Sequence, residues 1–175
     1  MTDLRTRKSN RLANYDYSQA GCYFITFCVQ DMHEMLGHVV VGGAPQRVPF
    51  VQLSDYGAFV EKRILNIPHV SPQFQLNNYV IMPNHVHLLV TITEIPHDKG
   101  DGTRGGASPA KAIVPQIVQS IKSMTTRYFR FKLFQRSYHD HIIRTEEEYQ
   151  HIWHYINNNP CIWANDCYYI PPQPM

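Results

Sequence analysis

The chain has 175 residues, 43% of them hydrophobic and 12% aromatic, with a formal net charge of +2. This composition excludes disorder and suffices for one domain over residues 1–175 with a real core, while so small a charge does not by itself point to nucleic acid. No apolar run approaches the ~20 residues of a membrane span, and the start Met1-Thr2-Asp3-Leu4-Arg5 lacks the apolar core of a secretory signal, so a cytoplasmic location without membrane partners is expected. Cys22, Cys28, Cys161 and Cys167 form no C-x-x-C pair, which favours buried free thiols over a zinc knuckle or a disulfide.

Residues 1–17 read as a basic arm, with Arg5, Arg7, Lys8 and Arg11 ahead of Tyr15-Asp16-Tyr17. Such an arm either lies on a phosphate backbone or stays a solvated tail. Tyr23 to Val29, aromatic and β-branched, predicts a first strand, and Leu36 to Val41 a second, ended by Gly42-Gly43. Ser54 is placed to cap a helix from Asp55 to about Asn66, closed by Pro68.

Phe74 to Met82 predicts a strand that Pro83-Asn84 turns back into His85-Val86-His87-Leu88-Leu89-Val90. The two-residue period of a strand then puts Val86, Leu88, Val90 and Ile92 on one face and His85, His87, Leu89 and Thr91 on the other. Two imidazoles sharing a face have metal-ligand geometry, but an isolated pair at this spacing favours ordinary half-buried strand residues unless partners elsewhere join it. Residues 96–110, with Gly100, Gly102, Gly105 and Gly106, lack the signature of a phosphate or calcium loop and read as a flexible surface connection.

From Gly102 to His139 there is no Asp or Glu, while Arg104, Lys111, Lys122, Arg127, Arg130, Lys132 and Arg136 are basic. Val114, Ile117, Val118, Ile121, Met124 and Tyr128 recur at helical spacing, leaving Gln116, Gln119, Lys122, Ser123, Thr126 and Arg127 for an outward face. With Tyr128, Phe129, Phe131 and Phe134 interleaved, the window is expected to bind nucleic acid rather than only solvate a helix.

Ser137 to Arg144 predicts a last strand with His139, His141 and Ile143 on one face, and Thr145-Glu146-Glu147-Glu148 matches a capping box that starts a helix running to Pro160. Tyr149, Ile152, Trp153 and Ile156 form its core stripe, and Glu148, His151, Tyr155 and Asn159 a second stripe beside it. A phenol and a neutral amide one turn apart suit a metal-assisted attack of tyrosine on a phosphodiester, with two imidazoles and the amide holding a divalent ion. They also suit an amphipathic helix tyrosine with a buried ring and a wet hydroxyl.

Taken together, Tyr79-Val80-Ile81-Met82-Pro83-Asn84-His85-Val86-His87 and Tyr155-Ile156-Asn157-Asn158-Asn159-Pro160 resemble the HUH single-tyrosine transposases, most closely their REP-associated branch. The opening Arg7-Lys8-Ser9-x-Arg11 and Gly21-x-Tyr23-Phe24-Ile25-Thr26 share the likeness, which runs from about Arg7 to Trp163. The resemblance implies an α+β fold, a ferredoxin-like antiparallel sheet with helices on one face and a C-terminal helix carrying the tyrosine. It further implies Tyr155 as nucleophile, His85, His87 and Asn159 as ligands of magnesium or manganese, and cleavage and rejoining of single-stranded hairpin DNA through a 5′-phosphotyrosine.

Insertion-sequence relatives often carry glutamine where this chain has the shorter Asn159. His141, His151 and Glu148 are candidates for supporting the site or handling the tyrosine's proton. Arg5, Arg7, Lys8, Arg11, Lys122, Arg127, Arg130, Lys132 and Arg136 are candidates for holding DNA. Two rivals stay open: a non-catalytic nucleic-acid-binding module, and a metal-dependent phosphodiesterase using water with His139, Asp140 and His141 in its site. A monomer and a homodimer are both compatible with the sequence.

Overall fold

The computed structural model describes residues 20–43, 48–93 and 113–171. The basic arm (1–17) and the glycine-bearing connection (96–110) lie outside the described residues. The elements are β1 (Gly21–Cys28), β2 (Gly37–Val41), β3 (Pro49–Leu53), α1 (Asp55–Val70), β4 (Phe74–Ile81), β5 (His85–Ile92), α2 (Ile113–Phe129), β6 (His139–Ile143) and α3 (Glu146–Asn158), followed by a 3-10 turn over Asn159–Asn165.

Four strands form one sheet in the order β4-β5-β1-β6, all pairs antiparallel. With α1 between β1 and β4, and α2 between β5 and β6, this is the ferredoxin-like arrangement, into which the hairpin β2–β3 is inserted. The alternation predicted for β5 holds. Val86, Leu88, Val90 and Ile92 join Tyr23, Ile25 and Phe27 in a core closed by α1 (Val60, Ile64, Ile67) and α2 (Val114, Ile117, Val118, Ile121). On the opposite face α3 seats Ile152 and Ile156 against Leu89 and Ile143, with Phe24 and Val80 at the margin.

Several boundaries differ from those expected of the sequence. Strand β3 was not foreseen, because five residues opening on proline carry little alternation and pair only with β2. Helix α1 does not stop before Pro68 but carries it inside and ends at Val70. Proline there forgoes one bond to the preceding turn, yet Ile67 is buried and its carbonyl still accepts the Ser71 amide at 2.9 Å, so packing holds the last turn. On α2 the buried position near the C-terminal end is Thr125, its hydroxyl bonded back to the Ile121 carbonyl at 2.7 Å, whereas Met124 and Tyr128 are exposed.

Lys122, expected on the outward face, turns inward. Its Nζ donates to the carbonyls of Gln135 (2.9 Å) and Ser137 (2.8 Å) and lies over the rings of Phe27 and Tyr138. The four cysteines are free thiols, of which Cys28 is buried and Cys161 and Cys167 are exposed, contrary to a uniformly buried set. No helix among the described residues is long and apolar enough to cross a membrane.

Candidate metal and tyrosine site

The β5 register sets His85 opposite Cys28 and His87 opposite Thr26, on the sheet face that α3 covers. Both rings are buried. The His85 tautomer follows from its neighbours. Asn84, itself fully buried, donates Nδ2 to the carbonyls of Met32 (3.2 Å) and Tyr168 (2.8 Å), which leaves its Oδ1 to accept from His85 Nδ1 at 2.8 Å. His85 Nε2 is therefore a bare lone pair. His87 Nδ1 is bonded to Thr26 Oγ1 at 2.7 Å, and its Nε2 faces that of His85 at 3.0 Å.

Helix α3 brings the tyrosine. Thr145 caps it, its Oγ1 accepting the Glu148 amide at 3.2 Å, while Glu148 Oε2 reaches the Arg144 amide at 2.9 Å. With Ile152 and Ile156 fixed on the sheet, the neighbouring stripe carries Tyr155 to the imidazoles: its Oη is 3.4 Å from His87 Nε2, and its ring meets those of His87 and Phe24. One turn on, Asn159 is fully buried at the start of the 3-10 turn.

That turn ends on Asp166, a residue that no sequence pattern singles out. Asp166 Oδ2 accepts from the Tyr155 hydroxyl at 3.0 Å and from Asn159 Nδ2 at 2.8 Å. Its Oδ1 accepts the Tyr168 amide at 2.8 Å. Asn159 Oδ1 is left buried with no hydrogen-bond partner.

Electrostatics keep the imidazoles neutral. Burial lowers His85 to about 4, against the opposing pull of the Asp166 charge, and lowers His87 well below its ordinary value, with the His85 neighbour adding to the effect. The Tyr155 phenol is pushed well above its ordinary range, first by burial and then by the charge and hydrogen bond of Asp166. Two neutral imidazoles whose Nε2 atoms face each other repel unless a proton or a cation lies between them. His85, His87 and Asp166 have ligand atoms within 4.8 Å of one another and could hold a metal ion, and the unpartnered Asn159 Oδ1 adds a hard oxygen donor. The Nδ1 bonds of both histidines are the outer support that such ligands need. The residues present thus fit a divalent ion.

Of the second α3 stripe, Tyr155 and Asn159 enter this cluster. Glu148 instead pairs with His141 at the surface, and the Arg144 amide, then His141, lowers its carboxyl. His151 is exposed. His139, Asp140 and His141, which a water-using site would have recruited, are not among the clustered ligand atoms of the described residues. Arg127, Arg130, Lys132 and Arg136 are exposed around the end of α2. The sequence offered no signal for Asp166, which stands in a segment without periodicity. Asn84 was legible only as turn chemistry, and Thr26 needed the strand register.

No protein-family model matches the chain. Among solved structures, a REP-associated tyrosine transposase bound to a REP hairpin superposes with a TM-score of 0.59, at 19% identity, over 88% of this chain and 74% of that one. The chain thus has the fold of the HUH single-tyrosine transposases. By sequence it belongs to the same family as an uncharacterized protein of Haemophilus influenzae, with which it is 35% identical over 95% of each chain.

Proposed function

We propose that the protein is a metal-dependent transesterase that cuts and rejoins single-stranded hairpin DNA through Tyr155. The observation that carries this reading is the meeting, within one chain, of Tyr155 Oη and His87 Nε2 at 3.4 Å, beside an unpartnered Asn159 Oδ1. The superposed transposase supports the choice of substrate, since that protein is bound to a REP hairpin.

A magnesium or manganese ion held by His85, His87 and Asn159 would polarise the scissile phosphate and offset charge on its oxygens. The remaining work belongs to the chain. Its histidines stay neutral at physiological pH, and His85 keeps its Nε2 lone pair available. The Tyr155 hydroxyl points its hydrogen at Asp166 Oδ2, leaving oxygen lone pairs for phosphorus. On attack the Oη–P bond forms and the P–O3′ bond breaks, with net transfer of the phenolic proton to O3′ to leave a 3′-hydroxyl. The phosphotyrosine conserves the bond energy, so an incoming 3′-hydroxyl reverses the step without a nucleotide cofactor. Arg127, Arg130, Lys132 and Arg136, with Arg5, Arg7, Lys8 and Arg11 of the arm, are the cations proposed to hold the hairpin's phosphates.

The test uses hairpin-forming single strands with magnesium, manganese or no metal. A covalent protein–DNA adduct that survives denaturation is expected with metal and is lost in Tyr155→Phe. Cutting that persists in Tyr155→Phe would instead identify a hydrolase, and binding without cutting a recognition module.

A further inference from the structure

The reading above uses Asp166 only as the acceptor of the Tyr155 hydroxyl, although it touches both residues of α3 that enter the site. We propose that Asp166 is a positioning residue: it takes the amide N–H of Asn159 so that Asn159 must present Oδ1 to the metal, while the same carboxylate oxygen tethers the Tyr155 hydroxyl alongside. This inference rests on the proposed metal site and deepens it.

An asparagine amide is symmetric in shape, and either end can face a ligand pocket. Here the choice is forced. Asp166 Oδ2, 2.8 Å from Asn159 Nδ2, is a carboxylate oxygen and can only accept, so the oxygen end faces away from it. That end is buried and makes no other hydrogen bond, a costly condition for an amide carbonyl. A cation removes that cost.

Asp166 is itself held firmly. Its amide donates to the Trp163 carbonyl at 3.0 Å, its carbonyl accepts the Tyr169 amide at 3.0 Å, and its Oδ1 accepts the Tyr168 amide at 2.8 Å. From Tyr168 the connection continues, since that residue's carbonyl accepts Asn84 Nδ2, and Asn84 Oδ1 fixes the His85 tautomer. One turn, residues 163–169, therefore orients Asn159 and Tyr155 on one side and His85 on the other. Metal ligands owe a large part of their affinity to such partners, whose loss costs ~10- to 100-fold.

The experiment measures manganese affinity of the full chain without DNA, by titration calorimetry and by the electron paramagnetic resonance of free ion. The variants are Asp166→Asn, Asn159→Ala and the double variant, each checked for folding by near-ultraviolet circular dichroism. Asp166→Asn keeps the shape but can donate to Asn159 Oδ1, and about 10-fold weaker binding is expected. In the Asn159→Ala background the same change should cost little, because Asp166 acts through Asn159. Wild-type affinity in Asp166→Asn overturns the proposal, as does a full additional loss in the double variant, which would make Asp166 a direct ligand.

Should Asp166→Asn fail to fold, the wild-type nuclear magnetic resonance signals of the Asn159 side-chain amide decide. Slow hydrogen exchange that persists with magnesium supports the role, and exchange that becomes fast on magnesium binding refutes it. Metal binding that survives His85→Ala with His87→Ala would sink the site reading itself, which keeps that failure distinct from failure of the role assigned to Asp166.

Discussion

At the scale of single residues, the buried histidines make acid the chain's weak side. His85 protonates only near 4 when folded but near 6.5 in an ordinary setting, and His87 too is held well below its ordinary value. A depressed folded value means that below about 6.5 the unfolded chain binds more protons than the native one. Their contribution is complete above that pH and drains away as pH falls toward 4, with a slope of at most ~1.4 kcal/mol per pH unit for each imidazole. Urea-unfolding midpoints measured from about pH 7.5 down to about pH 5 should fall steeply, and the combined His85→Gln and His87→Gln variant should show a flatter acid limb. The residue scale also explains why Lys122 is a poor candidate for holding DNA. Its ammonium already serves two carbonyls that tie α2 to the segment before β6, and burial lowers its pKa to about 8.

At the scale of elements, α1 sets helix propensity against close approach. Gly57 lies in its first turn, where alanine would ordinarily gain about 1 kcal/mol. A Cβ at that position would stand 2.0 Å from the Leu36 carbonyl oxygen, the acceptor of the Ser54 amide at 2.9 Å, and backbone cannot yield as a side chain can. Overpacking of this kind costs ~1–3 kcal/mol, so Gly57→Ala should lower the melting temperature, whereas a gain would show that the loop before β2 yields freely. Legibility divides along the same line. The period of β5, the cap of α3 and the core stripe of Ile152 and Ile156 are local patterns, and each could be read in the sequence. Pro68 inside α1, Thr125 in place of Met124 at the interface, and Asp166 at the site depend on what another segment places opposite them, which no local pattern encodes.

At the scale of the whole molecule, the sheet order brings the cations to the end of the structure that holds the histidine pair. Val29 bridges to Phe134, and the Gln135 amide donates to the Cys28 carbonyl at 2.9 Å, at the end of β1 that faces His85. The exposed Arg130, Lys132 and Arg136 therefore belong to the same end of the sheet as the histidine pair, although α2 and α3 cover opposite faces. On the proposed function, DNA held there would reach Tyr155 around the sheet's end rather than through it. Replacing Arg130 and Lys132 by alanine should weaken hairpin binding and flatten its dependence on log salt by ~0.7–0.9 for each phosphate no longer neutralised, as measured by fluorescence anisotropy across a salt series.

The bond from Asn84 to the Tyr168 carbonyl spans 84 residues of chain. During synthesis, at ~5–20 residues per second, the histidine strand leaves the ribosome seconds before Tyr155 and the turn that orients both. A growing chain thus carries the imidazoles with neither Tyr155 nor the tether that fixes His85. On the proposed function, the capacity to cut DNA would therefore arise only after Tyr168 has emerged, and products truncated before it would lack that capacity.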